Sequence, residues 1–211
     1  RSYSVTGVQT CALPIYSTLS RGYLTVFVGP SGTGKSQLAQ QFAYACYNIA
    51  IEEEHPYYLH VIVKPNWRDS ESLLGFFNPI SQHYVLTPFL KFLLRISNDA
   101  KEHPHNWYFT LLDEMNLSFV EYYLADFISA MEFQNKIITL QGPSELKTND
   151  TEFPIISNRI HVPKNFKIIG TINIDETTKK ISPKVLDRAG IVNICDGISG
   201  DDGNLYRYAI S

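Results

Sequence analysis

The stretch GPSGTGKS, which spans Gly29–Ser36, fits the pattern G-x-x-x-x-G-K-[ST] at every fixed position. It ends a short apolar run, YLTVFVGP at 23–30, and precedes a segment whose apolar residues recur at helical spacing. A strand, a glycine-rich turn and a helix in this order form a cradle of backbone N–H groups that suits phosphate oxygens. The residues expected to form this cradle are Gly29, Pro30, Ser31, Gly32, Thr33, Gly34, Lys35 and Ser36.

Two side chains at the end of this motif carry the chemistry of a nucleoside triphosphate site. The Lys35 ammonium is expected to reach the β- and γ-phosphates, and the Ser36 hydroxyl is expected to bind Mg²⁺. A phosphate cradle alone fits a small-molecule kinase, a GTPase switch or a motor. A second feature is therefore needed to separate these classes.

That second feature is the apolar segment FTLLDEMN, which delivers two adjacent carboxylates, Asp113 and Glu114. In open α/β sheets, ligands bind at the carboxyl ends of the strands, where these side chains would lie. Asp113 is predicted to hold the Mg²⁺ shell with Ser36. Glu114 is predicted to polarise an attacking water beside the γ-phosphate. The pair favours hydrolysis over transfer to a small molecule.

Two further polar residues are candidates for the same reaction. Asn173 ends the apolar segment FKIIGTIN and would reach the same sheet edge, where it would place the water or contact the γ-phosphate. Arg188 lies in the predicted last turn of the short helix SPKVLDRAG. Two interpretations of Arg188 stay open: it enters a neighbouring subunit's site and neutralises transition-state charge, or it stabilises the end of its own helix.

Strand-like and helix-like patterns alternate along the chain, which predicts an α/β fold with a mainly parallel sheet. The segment SFVEYYLADFISAMEF predicts one helix with Ser118 and Glu121 as a capping box. The segment SPKVLDRAG predicts a short helix that Ser182 caps and Gly190 stops. Residues 134–165 predict a β-hairpin with a long tip.

Composition narrows the function classes. The chain has 211 residues, of which 44% are hydrophobic, and its formal net charge is −3. It is long enough for one domain with a sizeable core, and it carries no overall basic charge for nucleic acid. Three cysteines, at 11, 46 and 195, show neither metal-ligand nor disulfide spacing. Without a membrane-spanning run or a signal-peptide pattern, the sequence predicts a cytoplasmic protein.

These motifs, in this order and at these separations, resemble those of the AAA+ ATPases. Within them the chain is similar to the dynein-related and MoxR-like branch, and most of all to McrB-like proteins of modification-dependent restriction systems. The segments that carry the resemblance are LLGFFNP, LLDEMNLSFVEYYLADFISAME and IIGTINIDETTKKISPKVLDRA, within residues 22–192. The resemblance implies a P-loop NTPase fold with an inserted β-hairpin at 134–165. The resemblance also leads us to expect that this sequence does not include the helical lid that normally follows.

The resemblance also implies a role for each site residue. Lys35 and Ser36 would be the Walker A pair, and Asp113 and Glu114 the Walker B pair. Asn173 would be the first sensor, and Arg188 the finger that acts on a neighbouring subunit. McrB-like proteins that use GTP carry an MNTxDR stretch where this chain has TINIDETT, so ATP is favoured over GTP.

The implied function is an ATP-hydrolysing motor core that forms a ring, expected to be a hexamer, with Mg²⁺ as cofactor. DNA and a nuclease subunit would be partners through domains outside this sequence. Two alternatives stay open: a MoxR-type chaperone that remodels proteins, and a nucleotide-gated binding module with little turnover.

The two ends of the chain are predicted to lie outside the AAA+ core at 16–192. Residues 5–15, VTGVQTCALPI, resemble the translation of a sequencing-adapter oligonucleotide, so 1–15 is predicted to be a non-native leader. Residues 193–211 are predicted to be an irregular tail, either truncated or artefactual.

Overall fold

The structure is a computed structural model that describes residues 15–51, 53–133, 135–174 and 179–194. Eleven strands are assigned in this part of the chain. In chain order they are β1 (Leu24–Gly29), β2 (Tyr58–Ile62), β3 (Phe76–Asn78), β4 (His83–Val85), β5 (Tyr108–Asp113), β6 (Ile137–Thr139), β7 (Glu145–Lys147), β8 (Ile155–Ser157), β9 (Arg159–His161), β10 (Phe166–Asn173) and β11 (Ala189–Asn193).

Helices and one tighter turn connect these strands. The helices are α1 (Lys35–Ala45), α2 (Glu71–Leu74), α3 (Pro88–Glu102), α4 (Val120–Tyr123), α5 (Ala125–Glu132) and α6 (Pro183–Leu186). Residues 15–21 are also helical, and Met115–Leu117 form a 3₁₀ turn.

The central sheet has five strands in the order β11-β1-β10-β5-β2. All four neighbouring pairs run parallel, so the carboxyl ends of the strands meet at one edge. β1 leads into the glycine-rich motif, and β5 ends at Asp113. Only β10 lies between these two strands in the sheet. The predicted α/β fold, with a parallel sheet flanked by helices and an inserted β-hairpin, is confirmed.

Both faces of the sheet are covered, which explains why its central strands are apolar throughout. On one face, α1 and the helical residues 15–21 pack against Phe27, Phe109 and Ile169. On the other face lie α3, α5 and the inserted hairpin, around the fully buried ring of Phe166. The ring centroids of Phe89, Phe92 and Phe127 lie 6.1, 6.3 and 5.6 Å from that of Phe166.

The predicted hairpin between α5 and β10 is confirmed. β6 pairs antiparallel with β9, and its long tip forms a second antiparallel pair, β7 with β8. Two ion pairs connect the tip to α3: Lys91 with Asp150, and Arg95 with Glu152 at 2.9 Å. These bonds hold the tip against the domain.

Two predicted helix boundaries are wrong. The segment from Ser118 onward is divided into α4 and α5, and Phe119 is the N-cap of α4 without a side-chain bond. Ser118 makes no capping box because its hydroxyl donates to the Trp67 carbonyl instead. At the other helix, Ser182 is the N-cap residue but makes no side-chain cap. Gly190 does not stop that helix, since it lies within β11.

The predicted leader and tail fall largely outside the described residues, namely 1–14 and 195–211. Ile15, placed in the leader by sequence, is 1% exposed and packs in the same cluster as Leu19 and Phe27. The origin of the leader and its boundary stay predictions. In the described residues, no helix has the length and apolar character that a membrane crossing requires.

Phe166→Ala tests the packing of the larger core. We expect a loss of about 3–5 kcal/mol in the free energy of unfolding, because the substitution leaves a cavity among three aromatic rings. The matched control is Phe133→Ala, since Phe133 is 66% exposed and should change stability little. Urea unfolding of the three chains measures this, and equal midpoints would contradict the described core.

Candidate functional site

The loop between β1 and α1 has the backbone shape of a phosphate cradle. Gly32 and Gly34 have φ angles of 80° and 79°, a left-handed region that glycine adopts without strain. Gly34 is the N-cap of α1 and brings no side-chain cap, so the first N–H groups of this helix face a possible ligand. The positive end of the helix dipole adds to this preference for an anion.

Lys35 is folded onto the loop that precedes it. Its Nζ donates to the carbonyls of Gly29 at 3.0 Å and Pro30 at 2.6 Å, and lies 3.4 Å from the Thr33 hydroxyl. The Thr33 hydroxyl donates in turn to the Pro30 carbonyl at 2.9 Å. Lys35 is 5% exposed, so these oxygens replace the water that a buried ammonium group needs.

Asp113 is the centre of the site because three side chains bond to its carboxylate. The hydroxyls of Ser36 and Thr171 both donate to Oδ1 at 2.6 Å, and His60 Nε2 lies 3.1 Å from Oδ2. These bonds stabilise the ionised form. The His60 contact first, and then the two hydroxyls, hold the pKa of Asp113 well below its usual value, against the opposing effect of burial.

Glu114 and Asn173 line the same cavity as this cluster. Glu114 has φ 53° and ψ 45°, a left-handed backbone that costs a non-glycine residue about 1–2 kcal/mol. Its N–H donates to the Thr171 hydroxyl at 2.9 Å. Asn173 ends β10 opposite Gly29, and its carbonyl accepts a bond from the Asn116 side chain at 3.1 Å.

A cavity of about 320 Å³ joins these groups at the carboxyl edge of the sheet. Its lining comes from the loop and first turn of α1, from Asp113 and Glu114, and from Thr171 and Asn173. A cleft of about 390 Å³ lies elsewhere, beside Lys101, His161 and Asn165. That cleft has no carboxylate in its lining, so the smaller cavity is the one that combines an anion cradle with acidic groups.

The oxygen donors in this cavity fit Mg²⁺. Mg²⁺ is usually bound by one or two protein oxygens, with substrate phosphates and water completing its shell. Ser36 and Asp113 offer a hydroxyl and a carboxylate that are 2.6 Å apart. Among the described residues, no group of three or more His, Cys, Asp and Glu side chains forms a separate metal site.

Arg188 is the one predicted site residue that does not lie near this cavity. The helix that precedes it ends at Leu186, so Arg188 follows the helix rather than lying in its last turn. Its guanidinium bonds to the Lys184 carbonyl at 2.7 Å and pairs with Glu132. Ala189, the residue after Arg188, is the strand partner of Leu24 at the amino end of β1. The glycine-rich motif begins at the other end of that strand. The two ends are about 16 Å apart by the rise of a strand.

Sequence reasoning missed three polar neighbours of Asp113 and Asn173: His60, Asn116 and Thr171. Thr171 had a signal, because it precedes Asn173 by two residues and so faces the same side of the predicted strand. His60 is the only basic residue in the apolar run YLHVIV. Asn116 lies two residues after Glu114, and nothing in its sequence position pointed to the Asn173 carbonyl.

Comparison with known proteins found similar solved structures. No family model matches the sequence, and no curated protein matches it. One similar solved structure is the closed-state cryo-EM reconstruction of Hsp104 with ATPγS and FITC-casein, at 18% identity and TM-score 0.49. Another is the structure of C. elegans PCH-2, at 17% identity and TM-score 0.43.

The alignments cover 87% and 90% of this chain, but only 32% of the Hsp104 chain and 42% of the PCH-2 chain. This chain therefore spans less than half the length of either protein.

The bonds to Asp113 predict how stability depends on pH. The pKa of Asp113 is lower in the folded chain than its ordinary value of 3.8, so ionised Asp113 stabilises the fold above that value. This contribution is lost as the pH falls below it towards the lower folded pKa. We expect Asp113→Asn to lower the melting temperature most above about pH 5 and progressively less below about pH 4.

Thermal melting of the two chains across this range measures the effect. Asp69→Asn is the matched control, because Asp69 is exposed at the surface. A difference between wild type and Asp113→Asn that widens towards acid would contradict the arrangement.

Proposed function

We propose that this chain is the nucleoside-triphosphate-hydrolysing core of an AAA+ ATPase, with ATP as its substrate. The observation that carries the proposal is one cavity lined by Lys35, Ser36, Asp113, Glu114 and Asn173. These residues come from three segments that are far apart in sequence: the start of α1, the end of β5 with the residue after it, and the end of β10. Each has the chemistry that triphosphate hydrolysis needs, and together they match the motif order of that family.

Different residues of the chain bind the phosphates and the Mg²⁺ ion. The backbone N–H groups of the loop and the start of α1 hold the phosphates, and Lys35 leaves the Gly29 and Pro30 carbonyls to bind the β- and γ-phosphates. Ser36 and Asp113 would hold Mg²⁺, whose chemical contribution is to neutralise charge on the phosphate oxygens.

Hydrolysis then depends on the placement of one water molecule. Glu114 orients that water and accepts its hydrogen bond, while Asn173 contacts the γ-phosphate from β10. The three donors keep Asp113 ionised, so its carboxylate accepts the hydrogen bond of the Ser36 hydroxyl and does not take up a proton itself. Glu114 has no such set of donors on its carboxylate among the described bonds, which leaves it to interact with water.

The position of Arg188 supports a role in a neighbouring subunit. It lies at the opposite sheet edge from its own chain's cavity, so it does not reach the nucleotide in its own subunit. If Arg188 completes a nucleotide site, that site therefore belongs to the next protomer in a ring. In the single chain Glu132 pairs with it, and assembly would exchange this partner for the phosphate.

Within the AAA+ ATPases we propose the McrB-like branch. The support is the sequence segments LLDEMNLSFVEYYLADFISAME and IIGTINIDETTKKISPKVLDRA. On this proposal DNA and a nuclease subunit are engaged through domains outside residues 16–192.

Turnover measurements on the purified chain test the hydrolytic proposal. We expect Mg²⁺-dependent phosphate release from ATP at a higher rate than from GTP. Lys35→Ala should abolish it, and Glu114→Gln should lower it by about 10²–10⁴-fold while ATP still binds. The matched control Lys147→Ala should leave the rate unchanged, because Lys147 is exposed on the hairpin tip. Equal rates for wild type and Lys35→Ala would contradict the proposal.

A mixing experiment tests the role of Arg188. Arg188→Ala and Lys35→Ala should each be inactive alone, because each lacks one half of every site. If Arg188 acts on the neighbouring subunit, an equal mixture regains about a quarter of the wild-type rate, since about one interface in four is intact. Arg159→Ala, at an exposed site on β9, is the control and should remain active. A mixture that stays inactive would contradict a trans-acting arginine.

A further inference from the structure

We propose that the Thr171 hydroxyl is a positioning group for hydrolysis, which holds the Asp113 carboxylate and the Glu114 backbone in one fixed arrangement. This inference rests on the proposed function. Thr171 is a positioning residue rather than a catalytic one, because its hydroxyl is committed to the two acidic residues.

The hydrogen bonds of Thr171 leave its hydroxyl little freedom. The O–H donates to Asp113 Oδ1 at 2.6 Å, and the oxygen accepts the Glu114 N–H at 2.9 Å. A hydroxyl has one proton to donate, so the first bond uses its whole donor capacity. Thr171 is 2% exposed, so water does not readily replace either bond.

The second bond matters because of the backbone at Glu114. Its φ of 53° lies in a region that residues with a side chain rarely adopt. Two bonds hold it there: its N–H bonds to Thr171, and its carbonyl accepts the Leu117 N–H at 2.9 Å. The direction of the Glu114 side chain follows from this backbone. A reacting group that is displaced by about 1 Å can lose about 10²-fold in rate.

The bond from Thr171 to Asp113 also fixes the position of Asp113, which is proposed to hold Mg²⁺ together with Ser36. Asp113 Oδ1 accepts from Thr171 and from Ser36, so one oxygen joins β10, β5 and the start of α1. Asn173 lies two residues further along β10. The strand that carries the predicted sensor therefore also holds both acidic residues in place.

The chain offers a matched pair of threonines for the test. Thr171→Val removes the hydroxyl and keeps the shape of the side chain. Thr110 lies on neighbouring β5 and is also fully buried, but its hydroxyl has no hydrogen-bond partner among the described residues. Thr110→Val is therefore the control for the loss of a buried threonine hydroxyl, and it should leave activity unchanged.

We expect Thr171→Val to lower kcat for ATP by about tenfold or more, because one of the two bonds that hold the Glu114 backbone is lost. KM should change little, since the phosphate cradle is intact. Thr171→Ser keeps the hydroxyl and should restore most of kcat. Hydrogen exchange of the Glu114 amide, followed by NMR, should become faster in Thr171→Val and stay slow in Thr171→Ser and Thr110→Val.

The outcomes separate this inference from the proposed function. An active wild type with unchanged kcat in Thr171→Val overturns the inference alone. Equal losses in Thr171→Val and Thr110→Val, or no rescue by Thr171→Ser, overturn it as well, because they indicate a structural effect. A wild-type chain with no turnover above Lys35→Ala overturns the proposed function and the inference with it.

Discussion

The bonds to the Asp113 carboxylate are the interaction on which the whole site depends. Ser36 lies 77 positions from Asp113 in sequence and Thr171 lies 58 positions from it, yet both donate to the same Asp113 oxygen atom. A carboxylate without such partners would be costly to place at a partly buried strand end. With them it remains ionised and fixes three segments relative to one another. The cavity is therefore a consequence of the sheet order, because that order brings β1, β10 and β5 side by side.

The parts of the site that sequence predicts are those encoded locally. The Gly29–Ser36 motif carries its own strand, turn and helix start, and Asp113 and Glu114 are recognisable because an apolar strand ends there. Asn173 followed from the same reasoning. Thr171 and His60 both contact Asp113, and Thr171 also accepts the Glu114 N–H; these contacts depend on which strands are neighbours. Strand order was not predicted from the sequence, so these roles became visible only in the fold.

The two wrong helix boundaries have the same physical origin. Ser118 has the right neighbours for a capping box, yet the carbonyl of Trp67, distant in sequence, takes its hydroxyl bond. Gly190 has the position of a helix stop, but it forms part of β11. A side chain there would meet the Thr18 methyl group at 1.8 Å, which is a tertiary reason for glycine. Local propensity was overridden in both cases by packing against distant residues.

The position of β1 in the sheet affects how the chain folds during synthesis. Both of its partners, β10 and β11, come from the last third of the sequence, so β1 leaves the ribosome long before either of them. Until then it is an apolar strand with two open edges, a state that favours association with other chains. Synthesis that stops before residue 166 leaves β1 without both neighbours. Such truncated products should need chaperones to stay unaggregated, whereas chains that extend through β11 can pair both edges of β1 themselves.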